Sequence, residues 1–361
     1  MSVLRHRAPH QAQTDKTDLH IHLLACSSNA PRPGKRFVRR HSSDYNAAAG
    51  RVIAGIIRGM DYTRLIKEIG RGKQGARSLT REQAADLLGQ VLDGQVTDLE
   101  VGGFCLAMRI KGETPEEMAG FLDATHARLN RVPASGKPLV VLPSYNGARK
   151  LPVLTPLLGL LLARRGLPVL IHGTATESAR VLVPDVLAEL NIAAQAQPTR
   201  IANGELAFIA TDVLSPALKR LLDVRRVVGL RNPAHSLVKL MNPSEGPAVI
   251  VGSYTHPEYA VSMAAVYELM GSTAMLLRGT EGECVADPRR QPQMDGFIAG
   301  RRVTLQDGQK GTLKDLPDLP TDIGAAATAA YIRDVMDGKK PIPSSIALQV
   351  EHILHLSTQT P

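Results

Sequence analysis

Positively charged side chains concentrate between Ala217 and Lys239, at a spacing that suits them to bind anions. The cations of this stretch are Lys219, Arg220, Arg225, Arg226, Arg231 and Lys239, and its one acid is Asp223. On a helical wheel, Lys219, Arg220 and Arg226 fall on one side with Asp223, and the leucines fall on the other. Arg225 falls towards the apolar side and is expected to be partly buried. Such a face attracts phosphate groups on a small substrate or a nucleic acid; the plain alternative is a solvated helix face.

The overall charge gives little support to anion binding by the rest of the chain. The 361 residues carry a formal net charge of +9. Of the 43 Lys and Arg residues, 10 lie within residues 1–59 together with 3 of the 34 acidic residues, which leaves 33 cations against 31 acids in residues 60–361. The body of the chain is therefore almost neutral, and affinity for anions must come from local clusters. Weaker candidate cations are Arg71, Lys73, Arg149 and Lys150.

Composition excludes several other classes of protein and site. Cys26, Cys105 and Cys284 are isolated, which argues against a disulfide framework or a structural zinc site and predicts a cytoplasmic protein. No apolar run is long enough to span a bilayer. Tryptophan is absent and aromatic residues make up 3% of the chain, so stacking of bases on an aromatic platform is not expected.

The elements that position these side chains fall into two regions. Residues 60–132 are predicted to form a helical domain, in which Thr80 and Gln83 make a capping box and Thr114 caps a helix that starts at Pro115. Residues 133–361 are predicted to form an α/β domain with a largely parallel sheet, because short apolar runs alternate with helical stretches. The expected strands are 138–142, 167–173, 205–210, 247–253 and 273–279, and the expected helices are 154–165, 181–191, 212–226, 257–270 and 322–337. Residues 1–59 are either a disordered basic tail or an over-extension upstream of a natural start at Met60.

Residues 78–121, SLTREQAADLLGQVLDGQVTDLEVGGFCLAMRIKGETPEEMAGF, closely resemble the helical domain of the anthranilate phosphoribosyltransferase family (glycosyltransferase family 3). The resemblance extends over residues 60–361. It implies a small helical domain joined by a returning segment near residues 212–235, a larger α/β domain, and a homodimer formed through the helical domain. It also implies a Gly-rich loop for the diphosphate of phosphoribosyl pyrophosphate, a Lys-His-Gly-Asn segment, and an adjacent Asp–Glu pair that holds Mg²⁺.

The chain departs from the family in all three of these elements. The loop reads PSYNGARK (143–150) and then LPVLT, where only Gly147 and Thr155 correspond to the family pattern. The second segment reads IHGT, which keeps His172 and Gly173 and loses the lysine. A lone histidine of this kind is more often structural than catalytic. These four residues are interpreted as a vestigial phosphate and substrate cleft.

The acidic pair is also missing, and no metal site is predicted. Glu281 and Glu283 lie in RGTEGECVAD (278–287), where the adjacent pair would fall near Cys284 and Val285. Mg²⁺ needs closely placed oxygen ligands. The two glutamates are therefore only weak candidates for a metal site.

The substrate-side element survives. Arg225 matches the arginine that contacts the aromatic acid in the enzymes, Gly229 and Arg231 keep their spacing, and the stretch ends at Asn242-Pro243. The segments SYNGARK (144–150), RNPAHSL (231–237), SYTHPEY (253–259) and GTEGE (279–283) resemble the YbiB-type subgroup. That subgroup is similar in fold to the transferases and binds nucleic acids without evident sequence preference.

Three hypotheses follow. The preferred one is a homodimer that binds the phosphate backbone of single-stranded DNA or RNA, with duplex DNA as a further candidate, and that needs no cofactor and no membrane. Its contacts would be Lys219, Arg220, Arg225, Arg226, Arg231 and Lys239, with Arg149, Lys150, Arg71 and Lys73 as weaker ones. The alternative is a phosphoribosyltransferase or nucleoside phosphorylase with an altered substrate, which would use Mg²⁺. The third is a scaffold dimer without a ligand.

Overall fold

The computed structural model describes residues 62–72, 74–175, 179–312 and 316–360. The tail or upstream start expected at residues 1–59 lies outside the described residues, as does the candidate cation Lys73. Among the residues that are described, no helix is both long enough and apolar enough to cross a membrane.

The first described region is helical, as its capping signals predict. It contains α1 (62–69), α2 (Arg81–Leu92), α3 (Asp98–Lys111) and α4 (Pro115–His126). The capping box of Thr80 and Gln83 is confirmed, and Thr114 caps α4 ahead of Pro115. Helices α2 and α4 approach closely at Gly120, where an added Cβ would lie 2.1 Å from the carbonyl oxygen of Arg81.

The described residues form one eight-stranded sheet in the order β3-β4-β2-β1-β5-β6-β7-β8. Its strands are β1 (Leu139–Ser144), β2 (Val169–Gly173), β3 (Ala194–Gln195), β4 (Leu206–Ala210), β5 (Ala248–Tyr254), β6 (Ala274–Arg278), β7 (Met294–Ile298) and β8 (Arg301–Gln306). The first six strands in this order, which are β3, β4, β2, β1, β5 and β6, pair in parallel. Strands β7 and β8 add an antiparallel edge that was not predicted from the sequence. The remaining helices are α5 (Thr155–Arg164), α6 (Val183–Glu189), α7 (Thr211–Leu214), α8 (Pro216–Val228), α9 (Ala234–Leu240), α10 (Pro257–Leu269), α11 (Ala325–Met336) and α12 (Ser344–Thr358).

Both faces of the sheet are covered, because successive residues of a strand point to opposite sides. In β1, Val141 belongs to the core shared with α2, α4 and α8. Its neighbours Val140 and Leu142 belong to a second core shared with α5, α11 and α12. Burial on both faces explains why the parallel strands read as continuous apolar runs rather than as alternating ones.

The segment that carries the cations returns to the helical region as two helices rather than one. The single helix predicted over 212–226 is wrong, since the chain breaks at Ser215, which is extended (φ −156°, ψ 92°) ahead of Pro216. A residue before proline is sterically disfavoured in the helical conformation. Ser215 instead caps α8, and the leucines Leu218 and Leu221 then enter the core of α2 and α4.

Candidate functional site

Two of the cations of helix α8, Lys219 and Arg226, share the carboxylate of one acid, Asp223. Arg226 is 68% exposed and lies 3.4 Å from the carboxylate of Asp223, which also pairs with Lys219. Arg220 is exposed and makes a long contact (3.4 Å) with the carbonyl oxygen of Leu92. An ion pair as exposed as that of Arg226 with Asp223 contributes little to stability. Arg226 can therefore leave Asp223 for a stronger anion, whereas the side chain of Lys219 is only 20% exposed.

The other predicted cations occupy different places. Arg225 is half-buried, as expected from the wheel, whereas Arg231 is exposed. Arg71 is exposed and pairs with Glu68 at 2.7 Å. Lys239 is not an outward cation, because the short helix α9 turns its ammonium group into the cleft. There it donates to the carbonyl oxygen of Gly282 at 3.0 Å, and burial lowers the pKa of Lys239.

The loop 145–150 follows β1 at the carboxyl edge of the parallel strands, where ligands of such sheets bind. Its first residue, Tyr145, is buried, and its hydroxyl lies 2.7 Å from Oγ1 of Thr211 and 3.0 Å from Nδ1 of His172. Arg149 and Lys150, at the far end, are exposed. The loop thus runs from a fixed, buried end to a cationic surface.

Two carboxylates of the same chain occupy the backbone N–H groups of this loop. The amides of Asn146 and Gly147 both donate to Oε1 of Glu283 at 2.8 Å. The amides of Arg149 and Lys150 donate to the carboxylate of Glu281 at 2.6 and 3.1 Å. Converging backbone amides are what proteins use to bind phosphate and other anions. Here the anions that these amides bind are carboxylates of the same chain.

The inner carboxylate is deeply enclosed. Glu283 is 2% exposed, and its Oε2 accepts a hydrogen bond of 3.1 Å from the hydroxyl of Thr155, the first residue of α5. The amino end of a helix carries partial positive charge, which favours an anion there. Thr155 and Gly147, which the resemblance aligns with the family's phosphate loop, therefore bind the chain's own carboxylate.

This arrangement does not fit a magnesium ion. The described residues contain no group of three or more His, Cys, Asp or Glu side chains that could hold a metal. The carboxylate oxygens of Glu281 and Glu283 accept hydrogen bonds from N–H groups of the loop and from the hydroxyl of Thr155, and they do not converge on a shared position for a metal ion. Hard cations need such oxygens free to coordinate. The two weak metal candidates thus act as hydrogen-bond acceptors.

His172 lies in the core behind the loop. It is fully buried, packs edge-to-face against Tyr145 with ring centroids 5.7 Å apart, and burial lowers its pKa to about 3. Its Nε2 has no hydrogen-bond partner among the described residues. A histidine with so low a pKa stays neutral near pH 7 and supplies no positive charge to a bound phosphate.

Two glycines of the cleft are required by close approach of the backbone. A Cβ on Gly173 would lie 1.9 Å from the carbonyl oxygen of Ser144, between the ends of β2 and β1. Gly147 has a φ of +68°, and its Cβ would lie 2.6 Å from the carbonyl oxygen of Val181. Only glycine fits both the conformation and the space at Gly147. Close packing of the backbone is enough to require glycine at both positions, and no ligand is needed to explain them.

Sequence reasoning placed Glu281 and Glu283 as metal candidates and missed their contacts with the loop. A usable signal was present in GTEGE, since two glycines beside two acids suit a segment that lies against another backbone. A Cβ on Gly282 would lie 1.8 Å from Nδ2 of Asn146. The exposure of apolar side chains on α3 was likewise not predicted from the sequence.

Comparison with known proteins agrees with this fold. Residues 63–128 match the family model described as "Glycosyl transferase family, helical bundle domain". The uncharacterized protein YbiB of Escherichia coli (strain K12) is 40% identical over 299 residues, which cover 81% of this chain and 92% of YbiB. An anthranilate phosphoribosyltransferase of Afipia carboxidovorans is 26% identical over 298 residues, covering 80% and 86% of the two chains.

Solved structures show the same architecture. The crystal structure of anthranilate phosphoribosyltransferase from Thermus thermophilus superposes with a TM-score of 0.65 at 22% identity, covering 83% of this chain and 90% of that one. The Saccharomyces cerevisiae enzyme in complex with PRPP and Mg gives a TM-score of 0.61 at 14% identity, covering 82% and 88%. With the helical domain, the α/β sheet and the match over most of YbiB in agreement, the chain belongs to the YbiB family of anthranilate phosphoribosyltransferase-like proteins.

Proposed function

We propose that this protein binds the phosphate backbone of nucleic acids without sequence preference, as a homodimer in the cytoplasm, rather than transferring a phosphoribosyl group. The observation that carries the proposal is that the chain's own carboxylates occupy the amides of the phosphate loop. Exposed cations among the described residues include Arg220 and Arg226 on α8 and Arg149 and Lys150 at the rim of the loop.

The cleft lacks the groups that phosphoribosyl transfer requires. Diphosphate needs uncompensated positive charge and free N–H donors, but the N–H groups are taken and His172 is neutral. The ammonium group of Lys239 points into the cleft beside Glu283, so its charge is opposed by a carboxylate. An anion that enters must first displace a carboxylate that is already hydrogen-bonded.

The exterior of α8 supports a backbone contact. Arg220 and Arg226 are exposed, and Lys219, whose side chain is 20% exposed, lies beside them in its pair with Asp223. Side chains of this kind neutralise phosphates and release counterions, which gives affinity without reading the bases. Arg149 and Lys150 supply a second exposed pair of cations at the cleft.

A second copy of the chain is the proposed partner for the helical region. Leu99, Leu106 and Ile110 are exposed on α3, Leu99 by 86%. Spacings of seven and four residues place these three on one side of the helix. At the end of α8, Val227 is 89% exposed. Apolar side chains grouped in this way favour burial against another protein surface, and a two-fold dimer would present two copies of α8.

The proposal is tested by gel-shift titration of the full chain with single-stranded DNA, duplex DNA and RNA of unrelated sequences at low and raised salt. We expect saturable binding that varies little with sequence and weakens steeply with salt, because the contacts are ionic. Absence of a shift with all three polymers at low salt would reject nucleic-acid binding and favour a scaffold without a ligand.

The alternative function is phosphoribosyl transfer or nucleoside phosphorolysis on an altered substrate. Its support is the likeness to proteins named anthranilate phosphoribosyltransferase and the retained Gly147, Thr155, His172 and Gly173. Calorimetric titration with phosphoribosyl pyrophosphate and Mg²⁺ separates the two functions. We expect no saturable heat, because the loop is filled; a saturable heat that depends on Mg²⁺ would establish the alternative.

A further inference from the structure

A cavity of about 310 Å³ lies at the amino edge of the sheet, opposite the edge that carries the loop 145–150. It is bordered by Ala248, where β5 begins, by Thr273, directly before β6, and by Ala299 in the turn between β7 and β8. Ligands of parallel sheets are expected at the carboxyl edge. The cavity is therefore a separate feature of the fold from the cleft at the carboxyl edge.

The segments that connect the helical region to the sheet form part of the cavity wall. Asn242 belongs to the segment that enters β5, and Arg131 belongs to the segment that leaves α4. Two backbone hydrogen bonds join these segments. The amide of Val132 donates to the carbonyl oxygen of Pro243 at 2.8 Å, and the amide of Glu245 donates to that of Val132 at 2.9 Å. This part of the wall is therefore fixed by hydrogen-bonded backbone.

Apolar side chains from four elements also line the cavity. They are Leu122 of α4, Leu240 of α9, Ile250 of β5 and Tyr267 of α10, and all four are buried. An apolar cavity of about 150 Å³ is large enough to bind benzene. The volume available here therefore suits an apolar molecule of about ten non-hydrogen atoms.

Of the described residues that line the cavity, one is a cation, Arg131, and none is an acid. Arg131 is exposed, and its N–H groups donate to the carbonyl oxygens of His126 at 3.0 Å and Ser244 at 3.1 Å. These bonds hold the guanidinium at the cavity, and a guanidinium has further N–H donors for an anion. The carboxylate of Asp123, which lies near His126, is paired with Arg81 instead at 2.6 and 2.8 Å.

His126 adds a neutral hydrogen-bond donor to the wall. Its Nε2 accepts a hydrogen bond of 2.9 Å from the amide of Asn242, which places the ring proton on Nδ1. Burial and the charge of Arg131 lower the pKa of His126 to about 4, so the ring stays neutral near pH 7. The polar part of the wall therefore offers N–H donors and a positive charge.

We propose that this cavity binds a small organic acid with an apolar body, whose carboxylate pairs with Arg131 and whose body lies against Leu122, Ile250 and Tyr267. A guanidinium can bind a carboxylate through two parallel N–H donors, and burial of the apolar body contributes further affinity. A cationic ligand would be repelled by Arg131. The inference does not depend on nucleic-acid binding, because the cavity is separate from α8.

The test is calorimetric titration of the full chain with octanoate, which has a suitable size, and with 1-octanol, its neutral counterpart. We expect saturable binding of one octanoate per chain. Binding of 1-octanol should be about tenfold weaker, since hydrogen bonds to charged groups contribute more than neutral ones. Ala248→Leu adds apolar volume inside the cavity and should weaken octanoate binding about tenfold or more. Ser272→Leu, at another lining residue, provides the same test if Ala248→Leu does not fold.

A pair of arginine variants tests the role of the cation. Arg131→Gln should weaken octanoate binding by about tenfold and leave binding of 1-octanol nearly unchanged. Arg164→Gln is the matched control and should bind octanoate as the wild type does. Arg164 is also exposed and also donates to a backbone carbonyl oxygen, that of Met336, but it lies on α5 at the other face of the sheet. Absence of saturable octanoate binding by the wild type, equal affinity for octanoate and 1-octanol, or folded leucine variants that bind as tightly as the wild type would overturn the proposal.

Discussion

Replacing Lys219, Arg220 and Arg226 by alanine is expected to weaken binding of single-stranded DNA by roughly 10- to 100-fold at low salt, since each phosphate contact contributes about tenfold there. The loss of affinity should be smaller than the loss expected for three full phosphate contacts. Lys219 and Arg226 must first leave Asp223, and that cost already reduces their contribution in the wild type. Fluorescence anisotropy with a labelled oligonucleotide measures the change.

Two controls make this result specific to α8. Alanine at the exposed residues Arg301, Lys310 and Lys339 removes the same number of positive charges from other surfaces and is expected to change affinity much less. Asp223→Asn should act in the opposite direction and tighten binding several-fold, because it releases Lys219 and Arg226. Equal losses in the two triple variants would show that overall charge, and not this helix, governs affinity.

Replacing Glu283 by alanine is expected to lower the free energy of unfolding by about 3–5 kcal/mol, the range for removing one partner of a buried charged network. The variant leaves the amides of Asn146 and Gly147 and the hydroxyl of Thr155 without their acceptor. It also leaves the ammonium group of Lys239 without the nearby carboxylate. Denaturation by urea, followed by circular dichroism, measures the loss.

Glu283→Gln separates the charge from the hydrogen bonds. Glutamine keeps an acceptor for the two loop amides, so its loss of stability should be clearly smaller than that of Glu283→Ala. Glu189→Ala serves as a control for an exposed acid and should lie within about 0.5 kcal/mol of wild type. A stability of Glu283→Ala within about 1 kcal/mol of wild type would mean that the carboxylate does not hold the loop.

Much of the fold followed from periodicity and capping chemistry, and the exceptions have local causes. The five predicted strands appear as β1, β2, β4, β5 and β6, because buried parallel strands read as apolar runs bounded by turns. The β7–β8 hairpin was missed since its turn is Ala299-Gly300, both at positive φ (48° and 80°). Two-residue turns of this kind usually contain Asn-Gly or Asp-Gly. Because alanine stands in the first position here, the sequence does not predict the turn.

The site was less accessible to sequence reasoning because its key contacts are long-range. Departures from the family's loop and acidic pair predicted that the diphosphate site had changed. That Glu281 lies on the amides of Arg149 and Lys150 depends on tertiary structure, since the partners are more than a hundred residues apart. The inward turn of Lys239 depends likewise on how α9 enters the cleft, which no helical wheel of α8 could reveal.

If the outer cations of α8 hold a polyanion, the affinity for DNA must depend steeply on the salt concentration. The affinity of the full chain for a single-stranded oligonucleotide is measured from about 50 to about 200 mM salt, the range over which ionic contacts weaken steeply. We predict that the logarithm of the affinity falls linearly with that of the salt concentration. The slope should become shallower by up to about 2 in the Lys219, Arg220 and Arg226 triple variant. No binding at the lowest salt, or the same slope in the wild type and the triple variant, would contradict binding of a polyanion by α8.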